Sequence, residues 1–249
     1  TCFTQPVTRQ GVHQRYHARA VAFFHGAFQH CLQQSLAQSA PPSLTKELAA
    51  HFDAIDLVDS SSFDCPDSLA TIYPGCGGAA SSANCKMLLR YEYLHGQFEP
   101  LALLPGKRSD QGLAVELPPL LRSNGLLITD KGFFKLEALR RIDQAKAYFL
   151  MPLPRSVSLA LPQADGGRVP LDLADALRPI QQAFIEWPTV YLGTGAEAIP
   201  VRLVAFRLSK ESADRHRAAL REAQRKQGRQ PTAAALELAG WLILITNAP

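Results

Sequence analysis

Apolar residues recur at two different periods along this chain, and the switches between them mark its elements. Over residues 8–37 they fall at Val12, Tyr16, Val21, Phe24, Phe28, Leu32 and Leu36, a spacing that predicts a helical stripe closed by Pro41-Pro42. "AIDLVD" (54–59) reads as a short buried strand. "CKMLLRYEYL" alternates Lys86, Leu88, Arg90 and Glu92 against Met87, Leu89 and Tyr91, which predicts a partly exposed strand. "QFEPLALL", beyond His95-Gly96, is its expected hairpin partner. "SDQGLAVELPPLLRS" reads as helical at first, with Ser109 or Asp110 as the cap. "GLLITD" (125–130) reads as a buried strand, "GFFKLEALRRI" as a helix and "AKAYFLMPL" as a further strand.

That order predicts an α/β class, a mixed sheet covered by helices. From about 152 to 207, short β-type runs between Pro and Gly turns ("SVSLAL", "WPTVYLG", "IPVRLVAFRL") predict an all-β insertion. Residues 209–228 form a basic helix by pattern, with Ser209 or Ser212 as cap and Gly228 as stop, and "TAAALELAGWLILITN" a helix running into a strand. The expected divisions are an N-terminal helical segment (1–45), an α/β core (46–151), the β-rich insertion (152–207) and the basic helix with a return to the core (208–249). No internal repeat is legible.

At 249 residues, with 47% hydrophobic and 19% charged residues, the chain can bury a full core. A net charge of +4 is too mild to argue for nucleic acid by itself. Five cysteines without a Cys-x-x-Cys pair (Cys2, Cys31, Cys65, Cys76 and Cys85) offer no zinc spacing and suit incidental thiols in a reducing cytoplasm. No stretch approaches the ~20 apolar residues of a membrane span, and nothing resembles a signal peptide. The chain starts at Thr1 and stops on "LILITNAP", and reads as an excerpt from a longer protein.

The chemistry concentrates on aspartates. "IDLVDSSSFDCPD" (55–67) holds Asp56, Asp59, Asp64 and Asp67, and "GLLITD" ends on Asp130. A carboxylate at the end of an apolar strand is costly unless it is paired or bound to a cation. Two that converge repel each other, and a divalent ion relieves the repulsion; hard oxygen donors favour Mg²⁺ or Mn²⁺. The alternative is that Asp59 and Asp130 are turn or cap residues, since Asp commonly ends strands. Asp56 falls on the opposite face of its strand from Asp59. Asp64 and Asp67 flank Cys65-Pro66 in an expected turn.

"LVDSSSFD" followed by "LLITDKGFF" resembles the two aspartate motifs of the DDE transposases of bacterial insertion sequences, in the insertion-sequence-four-like group. "PVTRQGVHQRYHARAVAFF", "GKRSDQ" and "GRQPTAAALELAGWLILITNAP" resemble further segments of that family in the same order. The resemblance implies an RNase H-like core in which the first and fourth strands are neighbours, and catalytic, metal-binding roles for Asp59 and Asp130. In the complete site it implies two Mg²⁺ (or Mn²⁺) ions. It further implies double-stranded DNA as partner (terminal inverted repeats and target DNA), a homodimer on DNA and a bacterial, cytoplasmic, nucleoid-associated setting. The expected activity is metal-dependent cleavage and strand transfer at insertion-sequence ends. The family's third acid, the glutamate of a Tyr-x2-Arg-x3-Glu pattern, is missing: the only Tyr-x2-Arg, Tyr16/Arg19, places Phe23 at the glutamate position. Glu237, on an upstream helix, is rejected as a substitute. The expectation is a chain that stops just before this motif and is inactive alone. A decayed DNA-binding relic and another RNase H-like nuclease are the competing readings.

Two surfaces suit DNA. Between Arg207 and Arg229 there are eight Lys/Arg against three acids, and Arg217, Arg221 and Arg225 repeat every four residues. Arg215, Arg217, Arg221, Arg225, Lys226 and Arg229 are candidate phosphate contacts, with an ordinary solvated helix as the alternative. Lys107 and Arg108, in the loop before a helix, and Lys131, beside Asp130, are further candidates. Arg9, His13, Arg15, His17 and Arg19 make the first half of the N-terminal helix basic, which suits either DNA contact or a solvated face. Trp187 is a candidate for stacking on a flipped base, an arrangement related transposases use, or for simple packing.

Overall fold

The computed structural model describes residues 8, 10–11, 14, 17–37, 42–77 and 81–249. Helices α1 (Ala18–Ala37) and α2 (Pro42–His51) precede strands β1 (Ala54–Asp64), β2 (Asn84–Glu92) and β3 (Gln97–Pro105). Next come α3 (Asp110–Ala114), β4 (Gly125–Thr129), α4 (Leu136–Gln144) and β5 (Tyr148–Pro152). The rest is β6 (Leu159–Pro162), β7 (Arg168–Pro170), α5 (Leu173–Leu177), β8 (Phe184–Leu192), β9 (Ile199–Arg207), α6 (Lys210–Lys226), α7 (Ala233–Leu238) and β10 (Trp241–Thr246).

The ten strands pair into a single mixed sheet in the order β3-β2-β1-β4-β5-β10-β9-β8-β6-β7. β1, β4 and β5 run parallel, and β2, β3, β9 and β10 join antiparallel. This is the mixed, helix-flanked sheet expected of an RNase H-like fold, with the first and fourth strands adjacent. The strands of residues 152–207 continue that sheet beyond β10, and the short helix α5, capped by Asp172, interrupts them.

One face of the sheet carries the core: Val58, Leu88, Leu127, Phe149, Met151, Leu203, Ile245 and Trp241 pack against Leu113 of α3 and Ala138, Leu139 and Ile142 of α4. Leu203 is fully buried in the middle of β9. Leu203→Ala should destabilise the fold by about 3 kcal/mol, read as a lower urea midpoint at an unchanged slope.

Local structure departs from the pattern, or adds to it, at four places. β1 does not end at Asp59: its parallel pairing with β4 ends at Val58↔Thr129, but its antiparallel pairing with β2 continues to Asp64↔Asn84. Asp59 therefore stands in mid-strand. On β2 the face bearing Lys86, Leu88 and Glu92 is the buried one, because Lys86 finds Asp110 and Glu92 finds backbone donors. The helix expected at the start of 109–123 is α3, and it stops there, since Pro118 and Pro119 lack the N–H groups a continuing helix needs. Finally, Val21, Phe24 and Phe28 of the N-terminal stripe are exposed on α1, with Phe28 edge-on to Phe98 at the sheet edge. Arg9, Val12, His13, Arg15 and Tyr16 lie outside the described residues. No helix among the described residues is long and apolar enough to cross a membrane.

Candidate active site

Asp59 and Asp130 each follow directly on the last paired residues of the β1–β4 ladder, Val58 and Thr129. Parallel neighbours stand ~4.8 Å apart, so the register sets the two aspartates side by side at one end of the ladder. Ile55 pairs with Leu126 and Leu57 with Ile128. Alternation then turns Asp59 and Asp130 to the same face, opposite the core.

Both carboxylates are exposed. Asp59 Oδ1 accepts the Ser60 backbone N–H at 2.8 Å, and Asp130 Oδ1 accepts that of Lys131 at 2.6 Å, capping the 3-10 turn Lys131–Phe133. No other hydrogen bond reaches either carboxylate among the described residues, which leaves one oxygen of each available. Such a donor set fits a hard divalent cation, which is often held by one or two carboxylates together with water and substrate phosphates. Among the described residues no group of three or more His, Cys, Asp and Glu is arranged around a common metal position.

The other aspartates of the 55–67 stretch have different surroundings. Asp56 is buried on the core side, opposite Asp59 as alternation requires; burial pushes its carboxyl up, outweighing the pull of Arg90, whose Nε is 3.9 Å away. Asp64 and Asp67 do not make the local turn bonds expected of them. Asp64 closes β1 and accepts from Asn84 Nδ2 at 3.0 Å, and Asp67 accepts from Ser82 Oγ.

The face that bears the aspartate pair is open. Leu57, Phe63, Leu103, Phe184, Phe206 and Leu242 are all exposed, and strand register places all six on it. Beside Asp130, exposed Lys131 lines a cleft of about 780 Å³ with Arg155, His216 of α6 and Trp241 of β10. α6, capped by Ser209 Oγ on Ser212 N–H, exposes Arg215, Arg221, Arg225 and Lys226.

Its arginines do not form one uniform stripe. Arg217 is turned toward α7, where its Nε donates to the Leu236 carbonyl at 3.1 Å. Arg225 is forked onto Glu222, with both hydrogen bonds at 3.0 Å, and Lys226 reaches the same carboxylate at 3.8 Å. No bond to the Arg221 or Arg229 side chain is present among the described residues, and both are exposed. In the loop before α3, Lys107 is exposed and Arg108 pairs with Glu116. Trp187 is not brought to the aspartate pair: it packs on the core side of β8, opposite Leu203 and four strands from β4.

Three residues beside the pair escaped the sequence reading. Asp110 Oδ1 accepts from Ser60 Oγ at 2.8 Å and from Lys86 Nζ at 2.9 Å. Asp110 was legible only as a cap candidate, and the cap is Ser109. A lysine inside an alternating strand was the one signal that could have pointed to an ion pair.

The sequence model of the family described as "Transposase DDE domain" matches residues 51–236. The chain is 27% identical over 253 residues to the transposase for insertion sequence element IS231F of Bacillus thuringiensis subsp. israelensis, covering 96% of this chain and 52% of that protein. It is 28% identical over 253 residues, with the same coverage, to the transposase for insertion sequence element IS231B of Bacillus thuringiensis subsp. berliner. It is 24% identical over 223 residues to the transposase for insertion sequence element IS1151 of Clostridium perfringens, covering 84% of this chain and 46% of that protein. The chain thus spans about half the length of the curated relatives it matches. The family match runs from the end of α2 into α7 and takes in both Asp59 and Asp130, and on that match the chain belongs to the Transposase DDE domain family.

Proposed function

We propose that this chain carries two catalytic aspartates of a DNA transposase, Asp59 and Asp130, which hold divalent Mg²⁺ or Mn²⁺ against the scissile phosphodiester. The observation that carries the reading is the register of β1 and β4, which brings two exposed carboxylates from distant sequence positions to one end and one face of the sheet. When bound, such ions polarise phosphate oxygens and stabilise charge on the attacking and leaving oxygens. The chain's own residues orient and bind. The Ser60 and Lys131 N–H groups hold one oxygen of each aspartate and leave the other available to a cation. In the cleavage step water attacks phosphorus, the P–O3′ bond breaks and a 3′-hydroxyl is left. In strand transfer that hydroxyl attacks phosphorus of a target phosphodiester, the new P–O3′ bond replaces the target's own, and the target's 3′-oxygen leaves as a hydroxyl. The third carboxylate implied by the family resemblance would approach the same open face, and two copies would assemble on paired DNA ends.

The DNA path we infer runs from the aspartate pair across Lys131, Arg155 and His216 to the exposed side of α6, with Lys107 and Arg108 near the β1 flank. Arg221 on α6 and Arg229 just beyond its end are the strongest phosphate contacts, because Arg217 is engaged with α7 and Arg225 and Lys226 share Glu222. Replacing Arg221 and Arg229 by Ala should weaken DNA binding about equally across sequences and flatten the slope of log affinity against log salt by about one unit per lost contact. Fluorescence anisotropy across a salt series reads this. An unchanged slope removes α6 from the interface.

The reading is tested by incubating the complete protein with supercoiled plasmid carrying the element's ends, with Mg²⁺ and with chelator. Nicking that needs both the metal and the ends supports it. Salt-dependent binding without nicking in any divalent metal identifies a DNA-binding relic instead.

A further inference from the structure

Lys86 poses a question that the fold alone does not answer. It sits on the core-side face of β2 with only 10% of its side chain exposed, and its partner Asp110 is 29% exposed. Holding such an ion pair brings little net stability, since apolar residues of similar size commonly serve as well or better. What distinguishes this pair is where Asp110 reaches.

Asp110 Oδ1 accepts from Lys86 Nζ and from Ser60 Oγ. Ser60 follows Asp59, and its backbone N–H is the donor that holds Asp59 Oδ1. The second oxygen of Asp110 faces the other aspartate's turn. A Cβ built on Gly132 would stand 3.4 Å from Asp110 Oδ2 and 3.9 Å from Asp130 Oδ2, so the two carboxylates flank the same bare Cα. Lys131, between Asp130 and Gly132, supplies the N–H that holds Asp130 Oδ1. One side chain on α3 therefore braces the residue that orients Asp59 and borders the turn that orients Asp130.

We propose that Asp110 is a positioning residue for the aspartate pair: anchored by Lys86, it holds Ser60 and the Lys131–Gly132 turn at the separation that lets Asp59 and Asp130 share a cation. The proposal rests on the metal reading of Asp59 and Asp130. The physical logic is that of groups behind metal ligands, whose loss lowers metal affinity by about 10–100-fold while the ligands remain. Lys86 fixes Asp110 Oδ1 and supplies its counter-charge, so the pair as a whole adds no net charge beside the two aspartates.

The test is Mn²⁺ binding to the complete protein, followed by electron paramagnetic resonance without DNA, beside urea unfolding of each variant. Asp110→Ala and Ser60→Ala should weaken Mn²⁺ binding, the former by about 10–100-fold. Asp110→Asn, which keeps an acceptor for Ser60 and Lys86, should stay close to the wild type. The paired change Asp110→Leu with Lys86→Met removes the ion pair without leaving a buried charge. It should unfold no earlier than the wild type and still lose Mn²⁺ affinity, which a merely structural role would not produce. Wild-type Mn²⁺ affinity in that folded double variant overturns the proposal while Asp59→Asn still abolishes binding. If Asp59→Asn leaves Mn²⁺ binding untouched, the metal reading itself fails and this proposal with it.

Discussion

Asp59→Asn or Asp130→Asn in the complete protein is expected to lower metal-dependent DNA cleavage by about 10³-fold or more while DNA affinity stays near the wild-type value. Metal ligation to transferring phosphoryl groups supplies several kcal/mol of charge stabilisation, and about 4 kcal/mol corresponds to a factor of ~10³ in rate. Asn keeps the size of the side chain and an acceptor for the Ser60 or Lys131 N–H, so the local backbone is retained. What is lost is the charge and hardness of the donor. On the proposed DNA path contact would rest on lysines and arginines elsewhere, so binding and cleavage should separate. Because both aspartates are exposed, neither substitution should move the urea midpoint by more than about 0.5 kcal/mol in stability.

The second large effect is structural. Glu92 is buried at the end of β2, where its carboxylate accepts the backbone N–H groups of Ile55 at 3.2 Å, Leu94 at 3.2 Å and His95 at 2.8 Å, with His95 Nδ1 at 2.7 Å. It joins the start of β1 to the β2–β3 turn. Removing it orphans several donors at ~1–3 kcal/mol each, so Glu92→Ala should cost about 4 kcal/mol, read from urea unfolding near neutral pH. Burial alone would raise the Glu92 carboxyl, but the hydrogen bonds from Ile55, His95 and Leu94 outweigh it and hold it below the ordinary 4.5. A depressed folded value stabilises the fold fully above the unfolded value, and that stabilisation is lost as pH falls through the folded one. The acid limb of the stability curve should therefore steepen below pH 4.5 in the wild type and flatten in Glu92→Gln. An acid limb unchanged by the substitution would contradict this account of Glu92.

How much of this was legible in the sequence differs by level. The strands were readable because β4, β5 and β10 are apolar runs and β2 alternates. Period, however, could not say which face of β2 is buried. Lys86 and Glu92 look like solvent residues until their partners appear, and Asp110 and the Ile55 N–H come from elsewhere in the chain. The same limit applies to β1, whose exposed second half of Ser and Asp residues is held as strand by β2 and by no propensity of its own. Asp59 and Asp130 stood out because an ionisable residue after an apolar run is costly to explain otherwise. Their adjacency needed the register. Arg217 looked equivalent to Arg221 and Arg225 by spacing, and their partners tell them apart: the Leu236 carbonyl of α7 for Arg217 and Glu222 for Arg225.

The central claim, that Asp59 and Asp130 hold the same cation-dependent site, is met most directly by changing the donor atom. Thiolates favour softer ions than carboxylates do, so Asp59→Cys and Asp130→Cys should each abolish plasmid nicking in Mg²⁺ and recover part of it in Mn²⁺. Full nicking in Mg²⁺ by either cysteine variant would contradict the assignment.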